Sequence, residues 1–171
     1  MRVVLIVSAY VALGAMGCTT DRSEANKELV QRMVAAINAR DLEALDAIIA
    51  PNLQRRSAAT PDVTVRNREE FKEFLRQDLA AVPDSRQDVL LMLAEDDLVA
   101  VYVSYSGTQQ GQLGPFPATG DSFSLPFIGI LRVENEQIAE MWVEWDNLNL
   151  LSQLGLFALP PSAPGSTGTG G

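Results

Sequence analysis

The stretch that decides the fold runs from Gln137 to Gly155, QIAEMWVEWDNLNLLSQLG. Its first half alternates with period two. Ile138, Glu140, Trp142, Glu144 and Asp146 share one side of an extended chain, and Ala139, Met141, Val143 and Trp145 share the other. A strand with a tryptophan on each side is one covered on both sides. Carboxylates beside a large ring at the end of such a strand are costly unless paired, hydrated or used. Glu140, Trp142, Glu144 and Asp146 therefore mark the place to look for chemistry. Asp146 stands where the strand gives way to LNLLSQLG, a position that also suits a helix cap.

Upstream of it, Ser85–Ala94, Leu98–Ser106 and Ser122–Val133 read as three more long strands. Glu95-Asp96-Asp97 and Glu134-Asn135-Glu136 are tight hairpin tips, without the ligand spacing of a calcium loop. Gly107–Asp121, with four glycines and two prolines, lies between strands and not before a helix, so it is no phosphate cradle.

Earlier still the period becomes helical. A helix from about Ser23 carries the stripe Leu29, Val30, Met33, Val34 and Ile37. A second, capped by Asp41 and closed by Pro51, turns Leu42, Leu45, Ile48 and Ile49 inward. The Asn67–Glu70 capping box opens a third, with Phe71, Phe74, Leu75, Leu79 and Val82 as its apolar stripe. Helices followed by a meander predict an α+β layer, one curved sheet with helices on its concave side.

The chain's 171 residues hold one domain. With 13 basic against 22 acidic residues, net −9, it repels nucleic acid and anionic surfaces and favours a small-molecule or protein partner. There is no histidine, which excludes a His base, a His-ligated metal or a Ser-His dyad. The single cysteine, Cys18, leaves no intrachain disulfide to form.

Residues 1–17 have the layout of a secretory signal: Arg2, then an apolar run shorter than the ~20 residues of a membrane span. Ala15-Met16-Gly17-Cys18 resembles a bacterial lipobox. That resemblance implies acylation of Cys18, a tether over 18–25 and a membrane-anchored protein of the bacterial envelope. A soluble secreted or periplasmic protein is the alternative. Residues 158–171 are Pro, Gly, Ser and Thr with little to bury, and read as a disordered tail.

Between these ends, 26–157 resembles the SnoaL-like polyketide cyclase and ester cyclase family of the nuclear transport factor 2-like fold. The residues that carry the likeness are Val30-x-x-Met33-Val34-x-x-Ile37-Asn38-Ala39-Arg40-Asp41, Thr108-x-x-Gly111 with Gly114 and Thr119-Gly120, Ile138-x-Glu140-x-Trp142-x-x-x-Asp146, and Gln153-Leu154-Gly155. The resemblance implies a cone-shaped roll, its N-terminal helices packed on the concave face of a strongly curved, mainly antiparallel sheet. The expected sheet has four strands and a short fifth near Leu53. The family also implies a pocket between helices and sheet for a small apolar or aromatic ligand, acid/base chemistry without metal or cofactor, and back-to-back homodimers. Its catalytic aspartate falls on Asp146. Where relatives carry histidines this chain has Arg56, Gln109 and Met141.

Each candidate has a second reading. Asp146 is a general acid/base, its pKa raised by Trp142 and Glu144, or it is only a cap. Gln109 donates to a substrate carbonyl or is a loop glutamine. Arg56 binds an anionic oxygen, or Arg55 and Arg56 are both surface charges. Trp142, Phe127 and Tyr102 line the pocket or fill the core. For the whole chain, the alternative to a ligand-binding enzyme is a non-enzymatic envelope interaction module.

Overall fold

The computed structural model describes residues 17–158, with side chains from residue 22 onward. The predicted signal (1–17, but for Gly17), the side chain of Cys18 and the tail beyond 158 lie outside the described residues.

The first helix, α1, spans Gly17–Asn38. It begins upstream of Ser23, so the expected tether over 18–25 belongs to the helix. From Thr19 to Glu28 there is neither proline nor glycine to stop it. Leu29, Val30, Met33, Val34, Ala36 and Ile37 form its buried stripe. Asn38 then docks the helix end: its amide donates to Gln87 O at 2.7 Å, and its Oδ1 accepts from Gln87 N at 2.9 Å. The chain turns through Arg40, which has φ of 62°.

The predicted second helix is cut to one turn, α2 (Leu45–Ile48), and Ile49 is already extended. Pro51 explains the cut, because it disfavours the helical region for Ala50 and removes a donor. The chain continues as a full strand, β1 (Ile49–Arg56), where only a short one was expected. Its register shifts between Ile49 and Gln54, around Pro51, which an edge strand tolerates.

Helix α3 (Arg68–Ala81) opens as predicted. Asn67 Oδ1 accepts from Glu70 N at 2.8 Å, and the Glu70 carboxylate accepts from Arg66 N at 2.7 Å. The meander comprises β2 (Arg86–Glu95), β3 (Leu98–Thr108), β4 (Ser122–Glu134) and β5 (Gln137–Trp145), and α4 (Asn147–Gln153) closes the described fold. The β4–β5 hairpin turns on Asn135 and Glu136, both with positive φ (49° and 63°), the geometry that matches the twist of the flanking strands.

Strand order is β1-β5-β4-β3-β2 in one open sheet. Three pairings are antiparallel, but β1 runs parallel to β5, with Ile49 beside Ile138. Both isoleucines are fully buried, as is Leu53. The five-stranded mixed sheet thus replaces the expected four strands and a fragment, and the α+β roll stands as predicted.

Candidate functional site

Register decides which side chains share the concave face. Arg55 lies beside Met141, Met141 beside Leu131, and Leu131 beside Val99. The next row is Val101, Gly129 and Val143, and the third Val103, Phe127 and Trp145. Tyr105 comes after Val103 on β3, opposite Leu125. These rows floor a cavity of about 790 Å³, within the usual range of small-molecule sites. Met33, Val34 and Ile37 of α1 and Phe71, Phe74, Leu75 and Asp78 of α3 form its other wall. Ala59, Thr60 and Val63, the turn Leu113–Phe116, and Asn147, Leu150 and Leu151 complete it. Gly129 keeps the floor low: a Cβ there would meet Val101 Cγ2 at 3.1 Å.

Two charged groups enter this apolar space. Asp78 lies on the apolar stripe of α3, four residues after Phe74 and three after Leu75. The Tyr105 hydroxyl donates to it, 2.8 and 2.9 Å from the two carboxylate oxygens. Burial pushes the Asp78 carboxyl above the usual carboxylate range, and the Tyr105 hydrogen bond with the charges of Arg40 and Arg55 only partly offsets this. Burial, then the charge of Asp78, drives the Tyr105 phenol far up. Such a pair can hold or release a proton at one spot, and protonation of Asp78 frees the Tyr105 hydrogen to donate elsewhere.

The second group is Arg55, 7% exposed. Its guanidinium carbon lies 4.5 Å from the Phe74 ring centroid and 5.9 Å from that of Trp145. Its Nη1 donates to Thr60 Oγ1 at 3.3 Å. Burial lowers its pKa, while the charges of Glu144 and Asp78 act the other way.

The sequence profile of the SnoaL-like polyketide cyclases matches residues 27–154. The chain belongs to that family. Among solved structures, TsrD from Streptomyces laurentii is 29% identical with a TM-score of 0.70, over 78% of this chain and 97% of that one. IdmH from Streptomyces antibioticus, a candidate polyketide cyclase, is 29% identical with a TM-score of 0.68, over 76% and 98%. AclR from Streptomyces galilaeus, a candidate hydroxylase, is 27% identical with a TM-score of 0.71, over 82% and 87%. No curated protein matches the chain. Different chemistries on one family fold mean that the site's own residues must carry the argument.

Against the expectations drawn from the family's motifs, the structure separates the candidates. Phe127 lines the cavity. Asp146 does not. It is exposed and caps α4, accepting from Asn149 N at 3.0 Å. Alternation explains this: residue 146 follows 140, 142 and 144 onto the side of β5 away from Met141, Val143 and Trp145.

Tyr102, Trp142 and Arg56 share that convex side. Arg56 pairs with Glu140 at 3.0 Å and lies over Trp142, and Arg132 flanks the same ring. Glu144 accepts from Ala58 N and Ala59 N at 2.7 and 3.0 Å, so it anchors the loop that carries Thr60 instead of touching the cavity. Gln109 is fully buried yet outside the cavity. It donates to Gly111 O and Pro117 O and accepts from Thr119 Oγ1, stapling the β3–β4 loop.

Asp78 and Tyr105 escaped the sequence reading, and Arg55, read there only as a surface charge, is buried against the cavity. An acid within a helical apolar stripe, and a tyrosine continuing Val99-Val101-Val103 at period two, were the available signals.

Proposed function

We propose that this SnoaL-like domain binds a small apolar or aromatic carbonyl compound and moves a proton on it, in the manner of a cyclase or isomerase and without a cofactor. The observation that carries this is the Asp78–Tyr105 pair, set in an aromatic-lined cavity large enough for a guest. Asp78 takes or gives the proton. Tyr105 holds Asp78 in place; once Asp78 has taken the proton it can donate to the Tyr105 oxygen, which frees the phenol hydrogen for the oxygen where charge develops. Arg55 adds a positive field on the other side. The proton-transfer role that the motifs put on Asp146 moves to Asp78.

Deuterium exchange of 2-tetralone, a two-ring enolisable ketone, tests the reading by NMR. The wild type is expected to exchange the α-protons, Asp78→Asn to lose ~10²–10⁴-fold, and Asp146→Asn to stay near wild type. No exchange above buffer, or full activity in Asp78→Asn, removes the enzymatic reading.

An open cavity supports ligand binding over the alternative, a non-enzymatic interaction module. The convex face has its own use in our reading. Leu91, Leu93, Tyr102, Ile128 and Ile130 are exposed there, and we assign this face to a back-to-back homodimer. We also propose export and acylation of Cys18, which places the domain on the bacterial envelope. Intact-mass analysis of the membrane fraction tests this, since an unmodified Cys18 there overturns it.

A further inference from the structure

We infer that the ligand carries a carboxylate, and that Arg55 receives it. This rests on the cavity being the ligand site and names the class of molecule it takes: an apolar body with one acidic end. A guanidinium has five N–H donors in one plane. Among the described residues, the side chain of Arg55 spends one of them, on Thr60 Oγ1 at 3.3 Å, and meets no carboxylate in ion-pair contact. The charges of Glu144 and Asp78 reach it only from a distance, so this 93%-buried cation, open to an apolar cavity, has no carboxylate in contact among the described residues.

The rings of Phe74 and Trp145 lie near the guanidinium and restrict its orientation. A planar carboxylate meets such a fork with two parallel hydrogen bonds, which an amide or alcohol cannot equal. The remaining surroundings (Leu131, Met141, Phe127, Leu75) suit the apolar body.

A second consequence concerns Asp78. The groups acting on it are Tyr105 from β3, Arg55 from β1 and Arg40 from the turn after α1. A ligand carboxylate cancels the positive charge of Arg55, which favours the protonated form of Asp78. Binding is therefore accompanied by proton uptake wherever Asp78 is still ionised in the free protein.

Calorimetric titration with 2-naphthoate, decanoate and the neutral isostere 2-naphthamide tests the inference, run in two buffers of different ionisation enthalpy. At least one acid is expected to bind on the order of ten- to a hundredfold tighter than the amide, with an observed enthalpy that changes with the buffer. Tighter naphthoate assigns an aromatic acid, tighter decanoate an alkyl one. Arg55→Met is expected to erase the preference and Arg55→Lys to keep part of it. The wild-type ratio stands without any variant, so poor folding of Arg55→Met does not blunt the test. If the amide binds as well as the acids, the carboxylate inference fails and the ligand-binding reading survives. If no probe binds, both fall.

Discussion

The two faces of the sheet carry the same kinds of residue and do different work. On the concave side, Arg55, Tyr105 and Trp145 meet an aspartate around an apolar space. On the convex side, Arg56 pairs with Glu140 beside Trp142, and Tyr102 is exposed. There Glu140 is held below the usual carboxylate range by hydrogen bonds from Arg56 and Arg132. Asp78 is pushed the opposite way, chiefly by burial. Chemistry thus follows the environment of a side chain more than its type, because desolvation penalises the charged form on one face and guanidinium hydrogen bonds stabilise it on the other.

Mutations that treat the faces unequally sharpen the contrast. The largest effect is expected from Leu53→Ala in the buried β1–β5 seam, about 2–5 kcal/mol of stability in urea denaturation. Leu93→Ala on the convex face should stay within about 0.5 kcal/mol. Equal losses would mean that the convex face is also core.

Asp78→Asn comes next, and its effect depends on pH. An acid raised by folding keeps its proton longer in the folded chain than in the unfolded one. Between the unfolded value of about 4 and the raised folded value, stability therefore falls as pH rises. Removing the charge removes that fall, so Tm of Asp78→Asn relative to wild type should climb from pH 4 upward. A flat difference would show that Asp78 titrates normally.

Asp146→Ala is expected to cost about 0.5–2 kcal/mol through the lost cap of α4, with carbonyl exchange retained. Smallest in its effect on the fold itself is Ile130→Glu, within about 0.5 kcal/mol for the monomer. Sedimentation should nevertheless show one copy where the wild type shows two. A monomeric wild type, or a dimeric variant, takes the convex face out of the assembly.

Much of this was legible from residue order. The stripes of α1 and α3, the Asn67 cap, the meander and its tips all follow from local periodicity and turn chemistry. The family likeness was legible too, in the spacing from Val30 to Asp41 and from Ile138 to Gly155. Asn38 entered only as part of the family spacing, yet it ties α1 to Gln87 of β2. No local pattern announces a contact 49 residues away.

What the sequence determined by itself is which residues alternate together: 99, 101, 103 and 105 against 98, 100, 102 and 104, and 141, 143 and 145 against 140, 142 and 144. Period two sorts side chains into sides without saying which side meets the helices. Tertiary structure decided that, when the apolar stripes of α1 and α3 closed on one face and β1 joined β5 in parallel. The register around Pro51 then turned Arg55 toward the cavity and left Arg56 at the surface, paired with Glu140.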